Sequence, residues 1–152
     1  MNIKPEDEWD WLAIAQHHGL PTRLLDWTRN PLVAAWFAVE NEHDADSLIY
    51  CYQDSKYVRT EQWPDPFDRK EVGKFVPRHL TKRITAQAGL FTIHPDPSAG
   101  FSPKALRLIV VKNSFRQKLK KILYRYGIHR ATLFPDLDGL TKHLEWLRSE
   151  SH

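Results

Sequence analysis

The stretch from Gly19 to Pro31 limits what this chain can fold into more than any other feature. Gly19 is a left-handed stop for a helix arriving from the N-terminal side, and Asn30-Pro31 joins a capping residue to a proline at the first position of a new helix. Leu24 and Leu25 are apolar with polar residues on both sides, so this connection is an extended stretch or a tight turn. Upstream, Pro5 with Glu6, Asp7 and Glu8 suits a first helical turn, where carboxylates meet the positive end of the dipole. Trp9, Leu12, Ala13 and Gln16 then share a face, which predicts a helix over about 5–18. Downstream, Leu32, Ala35, Trp36 and Val39 repeat at i, i+3, i+4 and i+7, which predicts a largely buried helix over 31–41.

The remainder alternates between short strands and two helices. Residues 47–53 alternate as a strand, with Ile49 and Cys51 on one side and Leu48, Tyr50 and Tyr52 on the other. An irregular connection through Trp63-Pro64-Asp65-Pro66 follows, then strands at 88–93 and 105–111 separated by Pro95, Pro97 and Gly100. Ser114-Phe115-Arg116-Gln117 has the form of a capping box. It opens a third helix with a stripe of Phe115, Leu119, Ile122, Leu123 and Tyr126 that ends at Gly127. A last helix begins near Asp136 or Asp138 and carries Leu137, Leu140, Leu144 and Leu147. The expectation is one α+β domain over 1–152, with a central, mostly antiparallel sheet flanked by about four helices.

Several function classes lose their signatures. A chain of 152 residues with 41% apolar residues can bury a core without staples. Cys51 is the sole cysteine, so no intrachain disulfide forms, and a reducing, cytoplasmic setting is expected. The acidic start has no basic region leading into an apolar stretch, which predicts no secretory signal. Leu32 to Val39, the longest apolar run, falls far short of the ~20 residues of a membrane helix. The eight histidines lack ligand spacing, so no metal is expected, and G-x-G-x-x-G, Walker-type and G-x-S-x-G motifs are absent.

Polar residues are densest at Gln16, His17, His18, Thr22, Arg23, Asp26, Trp27 and Thr28. Two readings are open. In one they satisfy one another: Arg23 pairs with Asp26, Thr22 steadies the Pro21 turn, Trp27 packs and Asn30 caps. In the other they wall a pocket in which Arg23 binds an anion or carbonyl and a histidine hydrogen-bonds or moves a proton. Charge is also divided. Residues 1–71 carry seven basic and fourteen acidic groups, and 72–152 carry fifteen and five. From Pro97 to Pro135 there is no acid. Lys118, Lys121 and Arg125 line one face of the third helix, as a candidate anion patch for nucleic acid or an acidic protein, or as a solvated face balanced by the acidic half.

The string from Ala15 to Thr28, with Asn30-Pro31-Leu32-Val33-Ala34-Ala35, resembles the central signature of the FRG domain family. Gln87-Ala88-Gly89-Leu90-Phe91-Thr92 and Leu133-Phe134-Pro135-Asp136-Leu137-Asp138-Gly139-Leu140 agree in the same order. The family is found mostly in bacteria and their phages, and its molecular function is largely uncharacterised. Its name comes from an upstream Phe/Tyr-Arg-Gly motif that this sequence lacks, so an abbreviated N-terminal portion is expected. The order of elements is similar to that of ADP-ribosyltransferase folds. On that analogy Asp26-Trp27-Thr28 is the second element and Gln87, on a strand, the third, which implies a nucleotide or NAD pocket. Gln87 there orients a ribose but carries no charge. Read from its residues alone, Gln87-Ala88-Gly89 is a strand with a glycine bulge and a surface amide. The candidate ligand residues are therefore Gln16, His17, His18, Thr22, Arg23, Asp26, Thr28 and Gln87.

Overall fold

The computed structural model describes residues 5–53, 56–78 and 81–150. The first helix, α1, spans Glu8–His17. It starts three residues later than the proline predicts, because the Asp7 carboxylate accepts the Asp10 N–H at 2.9 Å and takes the cap. Trp9, Leu12 and Ala13 are buried, and Gly19 sits at φ +78°, where a side chain would be strained. Strand β1, Leu24–Thr28, is the extended stretch. Asn30 then caps α2, Pro31–Val39, by accepting the Leu32 N–H at 2.9 Å. Val33, Trp36 and Val39 form its buried face, whereas Leu32 and Phe37 remain exposed. The expected stripe is thus rotated by one residue, and α2 is covered on one side only.

The single central sheet expected from the sequence is replaced by two antiparallel ladders. Strands β3, Gly73–Phe75, and β4, Gly89–Ile93, join β1 in the order β1-β4-β3, with Leu24 opposite Ile93 and Phe75 opposite Phe91. Strands β2, Ser47–Tyr52, and β5, Leu106–Val111, make a separate pair with Ser47 opposite Val111. The reason lies in α2, which packs against both β1 and β2 and holds the two ladders apart. The helices among the described residues are six. Short α3, Lys82–Ala86, capped by the Thr81 hydroxyl on the Ile84 N–H, occupies part of the supposed irregular connection. Residues 54–55 and 79–80 of that connection lie outside the described residues.

Helix α4, Arg116–Arg125, follows a 3-10 turn at Asn113–Phe115, and the predicted capping box does not form. Asp46 does that work from a distance: its carboxylate accepts the Asn113 N–H and the Lys112 ammonium, each at 2.8 Å. Gly127, at φ +76°, ends α4 as expected. Helices α5, Arg130–Leu133, and α6, Leu137–Glu150, complete the chain. Helix α6 reverses its predicted orientation, with Leu137, Leu140 and Leu144 in solvent. It packs instead through Gly139, where a Cβ would collide with the Phe134 backbone, and through buried His143.

Two hydrophobic cores result. The first joins Trp9, Leu12, Leu24, Phe75, Ile84, Phe91 and Ile93, with Trp9 edge-on to Phe75 at 4.8 Å. The second joins Val33, Trp36, Val39, Val111, Leu123 and Leu133. No helix among the described residues is long and apolar enough to cross a membrane.

Candidate functional site

A cleft of about 780 Å3 opens along the free edge of β1, between the two ladders. It has a polar end and an aromatic end. Gln16, His17, Asp26, Arg83 and Gln87 line the polar end, where α1, β1 and α3 converge. The Gln16 amide is held at both ends: its oxygen accepts the Thr22 hydroxyl and its nitrogen donates to Asp26 Oδ2, both at 2.5 Å. Asp26 is thereby oriented while remaining exposed to the cleft. Burial first, and the neighbouring Arg83 guanidinium second, hold the His17 imidazole below its usual range, with Asp26 and Asp136 acting the other way. At neutral pH its ring is a neutral donor and acceptor.

The aromatic end is built on Trp27. Its indole N–H donates to Thr92 Oγ1 at 2.9 Å, and Thr92 is fully buried and bonded to His94 Nε2 at 2.8 Å. Burial keeps His94 below its ordinary value, so this support is uncharged. Phe101 stands edge-on to Trp27 at 6.2 Å and to Tyr52 at 5.1 Å. Phe37, Leu48, Tyr50 and Leu106 extend the apolar wall onto α2, β2 and β5.

The sequence-derived residues divide here. Gln16, His17, Asp26, Thr28 and Gln87 line the cleft, and Thr22 touches it only through Gln16. His18 is exposed beside His17, with the rings edge-to-face at 5.3 Å. The predicted Arg23–Asp26 pair does not form. Alternation along the extended chain puts residues three apart on opposite faces. Arg23 is turned away, its guanidinium over the Phe67 ring at 4.7 Å and one N–H donating to Pro95 O at 3.4 Å.

Gln87 is not on a strand either: it caps the C-terminal end of α3, and Ala88 follows at φ +48°. The expected glycine bulge is absent, because Gly89 pairs with Thr28 in regular register. The Gln87 carbonyl accepts the Thr28 hydroxyl at 2.7 Å and its amide nitrogen donates to Leu133 O at 3.1 Å, and the residue lines the cleft. Arg83 was missed by sequence reasoning. Its signal was faint, a cation one turn before Gln87, and its guanidinium is held over the Phe134 ring at 4.5 Å.

The FRG domain family model matches residues 1–47. The matched segment, less than a third of the chain, is similar to the FRG domain. That segment contains α1, β1 and α2, so the FRG match supplies Gln16, His17, Asp26 and Thr28 to the cleft, while Arg83 and Gln87 come from beyond it. The later stretches, 87–92 and 133–140, lie outside the matched residues. No curated protein and no solved structure matches the chain.

The basic segment C-terminal to the FRG match is partly structural. Buried Arg116 donates to Ala38 O, Asn41 O and Ser47 Oγ, and Arg130 pairs with Glu40. Lys112 pairs with Asp46, and Lys120 donates to Glu40 O at 3.0 Å. Lys118, Lys121 and Arg125 are exposed on one face of α4. Among the described residues no group of three His, Cys, Asp or Glu is placed to hold a metal ion.

Proposed function

We propose that the cleft binds a nucleotide, with NAD as the form that fills it most fully. The observation that carries this reading is the division of one cleft into an oriented polar end and an aromatic end, since a nucleotide has the same two halves. Asp26, held by Gln16, accepts a ribose hydroxyl. Arg83 is the cation for a phosphate, and neutral His17 donates or accepts beside it. Gln87 offers its amide oxygen to the sugar. The base packs against the Trp27, Tyr50 and Phe101 end. The geometry supports binding and orientation, and we propose no bond cleavage.

Titration calorimetry with NAD, ADP and AMP tests this on the wild type, Arg83→Ala and Asp26→Asn. Binding heat from at least one ligand is expected, weakened about tenfold or more by Arg83→Ala, consistent with loss of a charge-assisted bond. Absence of heat with all three, on protein whose circular dichroism shows it folded, refutes the reading. A second reading rests on the exposed row of Lys118, Lys121 and Arg125, which we propose as a contact for nucleic-acid phosphates. A gel shift unchanged by Lys118→Glu with Lys121→Glu refutes it.

A further inference from the structure

Strand β5 has the sequence Leu-Arg-Leu-Ile-Val-Val and lies at the edge of a two-stranded ladder. Such a pair is marginal unless something else covers it. The alternation of its backbone bonds follows from one contact, the Gln53 N–H to Ala105 O bond at 3.4 Å, which marks 53 and 105 as a hydrogen-bonded pair. With the register Ile49 opposite Ile109 and Leu48 opposite Val110, residues 107, 109 and 111 turn their peptide groups toward β2. Leu108 and Val110 turn theirs outward. Among the described residues no strand pairs with that side.

Exposed edges are ordinarily blunted by proline, a bulge or inward charges. Here the register is regular over six residues, proline is absent and Arg107 is the one charge. The side chains are as open as the backbone. Leu108 and Val110 on one face and Ile109 on the other are each about half exposed, at 51%, 48% and 52%. Strand β5 thus offers unpaired peptide groups together with apolar contacts on both faces.

Charge selects the occupant. Arg107 and Lys104 are exposed on and beside the strand, Lys112 at its far end is already paired with Asp46, and no carboxylate occurs from residue 97 to 135. A second copy would bring the same cations against these. We infer that β5 is a docking edge for an extended acidic segment of a partner polypeptide. The segment adds as a third strand to β2-β5, bonds to the outward groups of Leu108 and Val110, and alternates apolar residues with carboxylates that meet Arg107 and Lys104. Leu108 and Val110 lie across the ladder from Tyr50 and Leu48 of the cleft wall, but the outward peptide groups of β5 are not among the proposed nucleotide contacts and the proposal does not depend on them.

Amide hydrogen exchange on the full chain tests it, with an end-blocked octapeptide alternating Val and Glu as probe and its Val/Lys counterpart as control. At saturating acidic peptide, exchange at Leu108 and Val110 should slow at least about tenfold, while Ile109, already bonded to β2, changes little. Arg107→Glu, a surface change, should weaken the acidic peptide about two- to fivefold and favour the basic one, the range for a cross-strand charge pair. Unchanged exchange at Leu108 and Val110, or equal binding of the two peptides, overturns the proposal. Concentration-dependent dimerisation that protects the same amides without peptide also overturns it, assigning the edge to a second copy.

Discussion

Replacing Arg116 by methionine should cost this chain about 3 kcal/mol, more than most surface charges are worth. Arg116 is 5% exposed, and its guanidinium donates to the carbonyls of Ala38 and Asn41 at the end of α2 and to the Ser47 hydroxyl at the start of β2. Ala38 O belongs to the last turn of α2, where carbonyls lack an intrahelical donor, and Asn41 O lies just beyond the helix. Removing the fork leaves both short of a donor, at ~1–3 kcal/mol each, while Ser47 can rotate toward another partner. Methionine restores part of the loss by filling the same space. A net ~3 kcal/mol corresponds to a fall in Tm of about 6–12 °C for a chain of this length. Arg116→Lys should fall between, because one ammonium cannot reach three acceptors in a fixed fork. Urea unfolding followed by circular dichroism reads the change, provided the m-value is unaltered. A loss below about 1 kcal/mol in Arg116→Met would show that the carbonyls find water or other donors and that the fork is dispensable.

Three other outcomes follow from local geometry. Gly139→Ala should destabilise by ~2 kcal/mol despite alanine's better helix propensity, because its Cβ meets the Phe134 backbone carbonyl; thermal melts would show it. Ala88→Gly should be neutral or stabilising by up to ~1 kcal/mol, since the φ of +48° costs alanine and not glycine, and a melting temperature lower than wild type would contradict this. His17, His94, His129 and His143 all have imidazoles held below their usual value, burial being the largest cause for each. The unfolded chain then binds more protons, so stability is full above about pH 6.5 and declines as pH falls through that value. A Tm that is flat or rising between pH 7.5 and 5.5 would contradict the sign.

What was legible in the sequence was local. Asn30-Pro31, Gly19 and Gly127 declare helix ends through their own backbone and side-chain chemistry, and each sits where those properties place it. The strand at 47–52 shows itself by alternation, and those at 89–93 and 106–111 as runs separated by Pro95, Pro97 and Gly100. Choices made by distant partners were not legible. Helix α3 is five residues long and exists because Thr81 caps it and Ile84 enters the first core. The leucine stripe of α6 promises burial, yet Gly139 permits a closer approach to Phe134 than any leucine could, and the helix turns that face inward. Asp46 supplies the anchor for the turn before α4 from 67 residues away. The same limit applies to the cleft. Its residues from α1 and β1 were visible as a polar cluster, but Arg83 joins them only through the packing of α3.

The two cores share no residue, and Gln87 is one link between their elements, with Thr28 of β1 on its carbonyl and Leu133 of the second core on its amide. The cleft runs along the seam between these two cores, which α2 also spans by packing on both β1 and β2. Anything seated there touches elements of both and ties their unfolding together. Occupancy of the cleft should then register as a higher and sharper unfolding transition of the whole molecule.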